Sequence, residues 1–427
     1  MRLRRSADAR RSMSWSDASR VQVRSYLVPD TRVLSRRPTL ALGAIGVGML
    51  RWRLACSLRA LIPGPLRRWL HAPMDLASGA VLSAPLLARR PRRPPPVRIF
   101  YGHRQLPGRQ AYAHGGLVKF QNLQDRYPNS PDDFNILYLV SGRPPAGAMI
   151  LARAAKWSGA RFVLNQNGVA YPAWHGPGWE RTNAPMATLH RLADHIFYQS
   201  EFCKLSAERY LGRVASSTEV LANPVDTGLF APTAASPDGL VLLTAGTQHV
   251  RYRVDVALRV LREVQRERPD AALVIAGRLW WRADEAAALA EAHALAAHHE
   301  VADSVRFVGP YRQADAPALF QSAHVLVHPQ EMDAAPTTVL EAMACGLPIV
   351  YSSSGGTAEY VGDEAGVAVP SASDWQRIVP ADPEAMAAGV LTVASRRSAF
   401  SAAARERSLR FDSRAWLQRH VDVFERL

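Results

Sequence analysis

Cysteine is almost missing from this chain of 427 residues: three, at positions 56, 203 and 345, are too few and too widely spaced for a disulfide framework. None of the paired spacings of a zinc or dithiol redox site occurs, so the expected state is reduced thiols in a cytoplasmic protein. Long apolar runs are lacking too. The longest uncharged stretches near the amino terminus, residues 38–50 and 76–88, hold 13 residues each, short of the roughly 20 that cross a bilayer as a helix. A secretory signal would need a basic start, an apolar core and a cleavage site, and residues 1–50 have these only loosely among scattered arginines. Lysine is absent from residues 1–97, which carry 19 Arg and only four acids and so account for the whole net charge of +15. The remainder, with 33 bases and 33 acids, is neutral. A basic arm on a neutral body is a different object from a nucleic-acid-binding protein, and no nucleic-acid module is visible in the arm.

Residues 1–96 form that arm. Residues 1–48 lack periodicity and cannot bury enough surface to order themselves; organisation begins at Met49, so 1–48 are expected to be dispensable. Within 49–71, Trp52, Leu58, Leu61, Leu66, Trp69 and Leu70 alternate with five arginines. Such a segment either lies on an anionic membrane surface or stays in solvent. The Pro-rich stretch 88–96 makes a stiff boundary.

From Val97 the texture is α/β. Short apolar runs at 97–101, 134–140, 162–164, 195–198 and 218–222 predict a first parallel sheet in a domain spanning 97–230. Residues 230–239 read as a linker. Runs at 240–244, 272–276, 305–308, 324–328 and 347–351, alternating with helical stretches, predict a second, doubly wound sheet in 240–410. One intervening helix places Val254, Leu258, Leu261 and Val264 on one face. A last helix, from about Ser413, shows Leu417, Val421 and Phe424 at helical spacing and occupies 411–427.

The chain is organised around residues 324–361. A strand, an acidic loop, a short helix from about Thr338 stopped at Gly346, a second strand and a Gly355-Gly356 turn into another helix start follow one another. Two helix N-termini after two neighbouring strands predict an anion site at the carboxyl edge of the sheet.

Asp333, seven residues, then Glu341 in EAMACGLPIV resembles the paired-acid signature of the GT-B retaining glycosyltransferases, group 1 or family 4, with Asp where a Glu is usual. AHGGLVKF at 113–120, SEF at 200–202, NPVDTGLF at 223–230 and VRFVGPY at 305–311 are similar to further landmarks of that family. The resemblance implies two Rossmann-like doubly wound domains facing across a cleft, with the last helix crossing back to the first. Only about 128 residues separate Val97 from Pro224, which implies a trimmed acceptor domain.

By the same resemblance, Glu341 accepts the ribose hydroxyls of a nucleotide, although Thr338-Val339-Leu340-Glu341 also reads as a capping box. Asp333 would face the transferred sugar and steady the cationic character of its transition state, with Glu331 as a minor substitute. A departing diphosphate needs cations. The family's Arg and Lys places hold Thr247 and Tyr252, so Arg251 and Arg253 are the candidates beside Asp333 for the catalytic set. Gly116, Gly246, Thr337, Thr338 and Gly309 are candidates for donor binding. His103, His114 and Asn167, the last in a place where relatives often carry His, are candidates on the acceptor or sugar side.

No Asp-x-Asp pair stands near a strand end, which argues against the metal-dependent GT-A type; neither a metal nor a cofactor is expected. The implied activity is transfer of a sugar, with retention, from UDP- or GDP-sugar to a glycan or lipid-linked acceptor in envelope or exopolysaccharide assembly, in the cytoplasm or at the inner membrane face. A nucleotide-sugar epimerase of the same fold and a non-catalytic nucleotide-sugar-binding partner are the alternatives.

Overall fold

The computed structural model describes residues 76–83, 96–106, 115–233 and 238–427. The segment 49–71, the stretch 1–48 and His114 lie outside the described residues, and no helix among those described is long and apolar enough to cross a membrane.

Five strands, β1 (Ile99–Phe100), β2 (Ile136–Val140), β3 (Arg161–Gln166), β4 (His195–Tyr198) and β5 (Ser217–Val220), form a first parallel sheet laid down in chain order. Side chains alternate across a strand, and β2 shows the result. Leu137 and Leu139 pack with Leu151, Leu189 and Ala207 on one face, under the helices Ala148–Trp157, Trp179–Leu192 and Glu201–Leu211. Ile136, Tyr138 and Val140 pack with Phe120, Leu123, Trp416 and Phe424 on the other. That second face is covered by the helix Gly115–Gln124 and by the carboxy-terminal helix Ser413–Phe424. Trp416 and Phe424, each 3% exposed, stabilise the docking by about 2–3 kcal/mol apiece at the usual value for burying a large apolar side chain. His420 of the same helix meets the Tyr138 hydroxyl at 3.0 Å.

The second sheet holds six parallel strands, β6 (Leu240–Thr244), β7 (Ala271–Ala276), β8 (Val305–Gly309), β9 (Val325–His328), β10 (Ile349–Ser352) and β11 (Gly366–Val369), in the order β11-β10-β9-β6-β7-β8. The order reverses between β6 and β9, and at such a reversal the loops at the strands' carboxyl ends part to leave a crevice. Val254, Leu258, Leu261 and Val264 are fully buried in the core under this sheet. Strand β11 was not anticipated: it is a four-residue edge strand with two of its four side chains only partly covered, too short and too uneven for a clear apolar run.

Candidate functional site

The helix Thr337–Ala344 begins one residue earlier than the sequence suggests, with Pro336 at its N-cap. Proline has no side-chain oxygen, and with Pro336 at the N-cap the third helical residue is Val339 and not Glu341, so the capping box does not form. The Glu341 carboxyl turns instead to Gln313 in the loop after β8; burial pushes its pKa up to about 7 against the opposing pull of that hydrogen bond. Gly346, at φ +74°, ends the helix in the left-handed conformation.

Ahead of this helix the chain is held tightly. Met332 has a φ of +50°, uncommon for a side chain of its size. Its N–H donates to Ser354 Oγ at 2.9 Å and its carbonyl accepts from the Tyr171 hydroxyl at 3.4 Å. Asp333 is thereby aimed at His328, whose Nε2 lies 3.2 Å from Oδ2, while the Ala335 N–H donates to Oδ1 at 3.2 Å. Burial works against ionisation of Asp333, yet the hydrogen bond and charge of His328, with the charge of Arg253, hold its pKa below the ordinary carboxylate value. Asp333 is therefore a carboxylate.

Glu331 is not a substitute for it. Only 5% exposed, it accepts hydrogen bonds from the hydroxyls of Ser352, Ser354 and Ser371 at 2.8, 2.6 and 2.8 Å and from the Ala381 N–H at 2.9 Å. Its oxygens are fully used in tying the loop to β10 and to the segment after β11. The Gly355-Gly356 turn is likewise structural. The Gly356 N–H donates to the Asp333 carbonyl at 2.7 Å, and a Cβ on Gly355 would stand 2.7 Å from the Asp333 nitrogen. The glycines admit a close backbone approach, so the second of the two expected helix starts is spent on the loop and not on an anion.

Across the switch point, Gly246 follows β6 at φ +94°, with the Thr338 hydroxyl 3.2 Å from where its Cβ would be. Arg253, on the helix Tyr252–Val264, is 6% exposed; its Nη1 donates to the Thr247 carbonyl at 2.9 Å, and its Nε has no partner. Arg251 points elsewhere. It is about half exposed and pairs with Glu291 at 3.6 Å, because a residue two positions away on a helix projects from another side. The Tyr252 hydroxyl, in the place of the family's Lys, accepts from the Glu331 N–H at 2.9 Å.

Gly246, Thr247, Arg253, His328, Asp333 and Thr338 from one side and Asn167, Tyr171, Trp174 and Gln199 from the other line one cavity of about 350 Å³ between the two sheets; Glu331, Glu341, Arg251 and Tyr252 are not part of that lining. Asn167 contributes an Oδ1 without a partner. Thr337 stands behind the lining and accepts from Asn223 at 3.3 Å. Gly309 ends β8 outside the lining with open space around it. Gly116 is the second residue of the helix Gly115–Gln124. His103 is apart from the cavity, its ring 3.4 Å from the Arg143 carbonyl and its pKa lowered by burial. Several participants were missed in the sequence, among them His328, which belongs to a strand-end apolar run, and Trp174, whose place depends on the turn after β3.

Residues 229–381 match the model of the family described as glycosyl transferases group 1. Over 198 residues the chain is 30% identical to D-inositol 3-phosphate glycosyltransferase 2 of Catenulispora acidiphila, covering 44% of each protein. It is 35% identical over 142 residues to D-inositol 3-phosphate glycosyltransferase of Jonesia denitrificans, covering 32% of each. The chain thus spans less than half the length of the curated relatives it matches. Among solved structures, HepE of Anabaena in complex with UDP-glucose shares the fold with a TM-score of 0.60 at 15% identity, over 77% of this chain and 100% of that one. Sucrose-phosphate synthase from Thermosynechococcus elongatus does so with a TM-score of 0.56 at 17% identity, over 72% and 76%. The chain is thus built on the GT-B fold, and its residues 229–381 are similar to the glycosyl transferases of group 1.

Proposed function

We propose that the chain is a retaining glycosyltransferase that moves a sugar from a UDP- or GDP-sugar to a glycan or lipid-linked acceptor. The observation that carries this reading is the cavity in which the unpartnered Nε of Arg253 and the ionised Asp333 share one wall. Arg253 would neutralise the departing diphosphate, Asp333 would orient the sugar and oppose its positive charge as the glycosidic bond loosens, and Glu341 would hold the ribose. Donor chemistry of this kind suits UDP-glucose, the molecule held in the HepE complex. With Arg253 as the cation, the reaction needs no metal and persists in chelator.

A non-catalytic nucleotide-sugar-binding role has one observation in its favour: among the described residues that line the cavity, Arg253 is the sole Arg or Lys. Calorimetry with UDP and GDP, beside hydrolysis and transfer assays on a panel of labelled nucleotide-sugars in EDTA, separates the two. The acceptor panel includes the phosphorylated polyol of the curated relatives' name. Binding without hydrolysis or transfer from any donor leaves the binder, and absence of both removes the reading.

The setting we propose is the cytoplasmic face of the envelope, with segment 49–71 on anionic lipid. Sedimentation with anionic vesicles should weaken with salt, since charges at such a surface are screened within about 8–10 Å. Equal recovery with neutral vesicles would reject the electrostatic anchor.

A further inference from the structure

The cavity mouth carries aromatic groups that the donor reading does not use. Trp174, on the short helix Pro172–His175 of the first domain, is 39% exposed, and Trp280, in the loop after β7 of the second, is 45% exposed. Between them stands His249. Its ring centroid lies 6.0 Å from that of Trp174, edge to face at 85°, and 6.0 Å from that of Trp280, nearly parallel at 28°. Trp174 and His249 line the cavity itself.

The arrangement is held before any ligand arrives. The Gln248 N–H donates to the Arg278 carbonyl and the Trp280 N–H to the Gln248 carbonyl, both at 2.8 Å, so the loops after β6 and β7 are stitched together. The Arg278 guanidinium sits 4.8 Å from the Trp280 ring centroid, an attraction that fixes the indole. Exposed indoles cost solvation that a purely structural role does not require. A rigid pair of them at the edge of a polar cavity suits a ligand that has both an apolar face and polar edges.

The charge around the mouth narrows that ligand further. Arg278 pairs with Glu285 at 3.2 Å, Arg282 with Glu291 at 2.9 Å and Arg251 with the same Glu291 at 3.6 Å. Three guanidinium groups share two carboxylates here, so most of the positive charge at the rim is offset and the exposed ring surfaces are its main offering. A pyranose without phosphate or carboxylate fits this chemistry: its axial C–H bonds form an apolar face for an indole, and its hydroxyls reach the polar cavity wall.

We propose that Trp174 and Trp280, one from each domain with His249 between them, form the acceptor subsite and stack a neutral pyranose ring at the cavity mouth. This rests on the glycosyltransferase reading, and it adds the acceptor's chemical class and the residues that select it. The stacked ring would present a hydroxyl inward, toward the carbon that the donor's diphosphate leaves. That hydroxyl oxygen forms the new glycosidic bond, the bond from the sugar to the diphosphate oxygen breaks, and the hydroxyl proton leaves with the diphosphate. Since the two indoles come from different domains, the subsite is complete only when both face the same crevice.

The test uses the full chain, with methyl glycosides of glucose, galactose, mannose and N-acetylglucosamine as probes in saturation-transfer NMR, with and without UDP or GDP. Saturation should pass from the protein to the ring C–H protons of at least one glycoside. In Trp174→Ala and Trp280→Ala the apparent affinity for that glycoside should fall by about fivefold, the scale of one lost aromatic contact, and the Phe variants should recover most of it. Nucleotide affinity by calorimetry should move less than the glycoside signal does. No saturation transfer to any glycoside in the unmodified protein overturns the subsite, as does unchanged affinity in both Ala variants or a requirement for a phosphorylated sugar. Failure of UDP and GDP to bind overturns the donor reading instead, and the glycoside signal then judges the aromatic site by itself.

Discussion

Arg253 and Arg251 are two positions apart and meet different fates, which makes them the sharpest residue-scale comparison in the site. Arg253 lines the cavity with an unpartnered Nε, while Arg251 pairs with Glu291 outside it. Arg253→Ala should lower kcat by about 10²-fold, as loss of one donor to developing negative charge does, and Arg251→Ala should leave it within about twofold. Steady-state kinetics on both variants check this, and equal losses would contradict the geometry. Glu341 supports a pH experiment. With its pKa pushed up to about 7 by burial, it is largely protonated at pH 6 and ionised at pH 8. A carboxylate accepts from both ribose hydroxyls better than a carboxyl does, so uridine or guanosine affinity should rise between pH 6 and 8 and be flat in Glu341→Gln. Nucleosides are the probe because they carry no phosphate to titrate. Much of this site was legible in the sequence, since Asp333, Glu341 and the Arg pair sit at fixed distances from strand and helix ends. What separates Arg253 from Arg251, or Asp333 from Glu331, is direction. Direction was not legible, because it is set by partners as distant as Ser371 and Glu291.

Among the elements, the loop between β9 and the helix Thr337–Ala344 is the most constrained. Glu331 gathers four hydrogen bonds from β10 and from the segment after β11, which permits Met332 its positive φ and so directs Asp333. Glu331→Ala would leave three buried hydroxyls and an N–H to find new partners, and should cost about 2–4 kcal/mol in urea unfolding. Glu331→Gln keeps an acceptor and should cost less, because the serine hydroxyls can turn to accept from its amide. A loss below about 1 kcal/mol for the Ala variant would show that water or a shifted loop replaces the carboxylate. The strands themselves were readable because parallel strands buried on both faces are continuous apolar runs; β4 and β6 fall where those runs do. Strand β11 escaped for the opposite reason, being an edge strand half covered by solvent. The helix Ser413–Phe424 declared its apolar stripe by itself, while only the family resemblance pointed to its target in the first domain, a sheet face some 275 residues upstream in the chain.

At the scale of the whole molecule, burial makes the protein acid-sensitive. His190, His324 and His420, in three different parts of the fold, are almost fully covered. Burial lowers their pKa values to about 4, 4 and 3 from the ordinary 6.5. Their neutral forms belong to the folded state. Stability is therefore complete above about pH 6.5 and falls as the pH drops toward 4, by up to about 1.4 kcal/mol per pH unit for each histidine. Urea midpoints that stay level from pH 7.5 to 5 would contradict this. The two domains are also joined by a contact beside the cavity that the sequence did not announce. The loop after β11 is held by Glu331 at Ser371 and at Ala381, and between these anchors it carries Trp375 to the first domain. There the indole stacks on Phe202 at 5.3 Å and 4°, meets Tyr171 edge-on at 5.1 Å and Tyr210 at 5.5 Å, and its carbonyl accepts from the Ala173 N–H at 3.0 Å. Tyr171 in turn donates to the Met332 carbonyl, so one aromatic nest touches both the domain contact and the loop that aims Asp333. Removing the indole deletes the aromatic ring that the second domain brings to this contact but no part of either sheet. Trp375→Ala should therefore leave the cores of β2 and β6 protected in hydrogen exchange while amides at 171–175 and 331–335 exchange faster. Turnover should fall and KM should rise together, as expected when a domain closure that completes a site is weakened. Faster exchange through both sheets would mean that Trp375 stabilises the fold at large, and unchanged exchange at 331–335 would separate the nest from the catalytic loop.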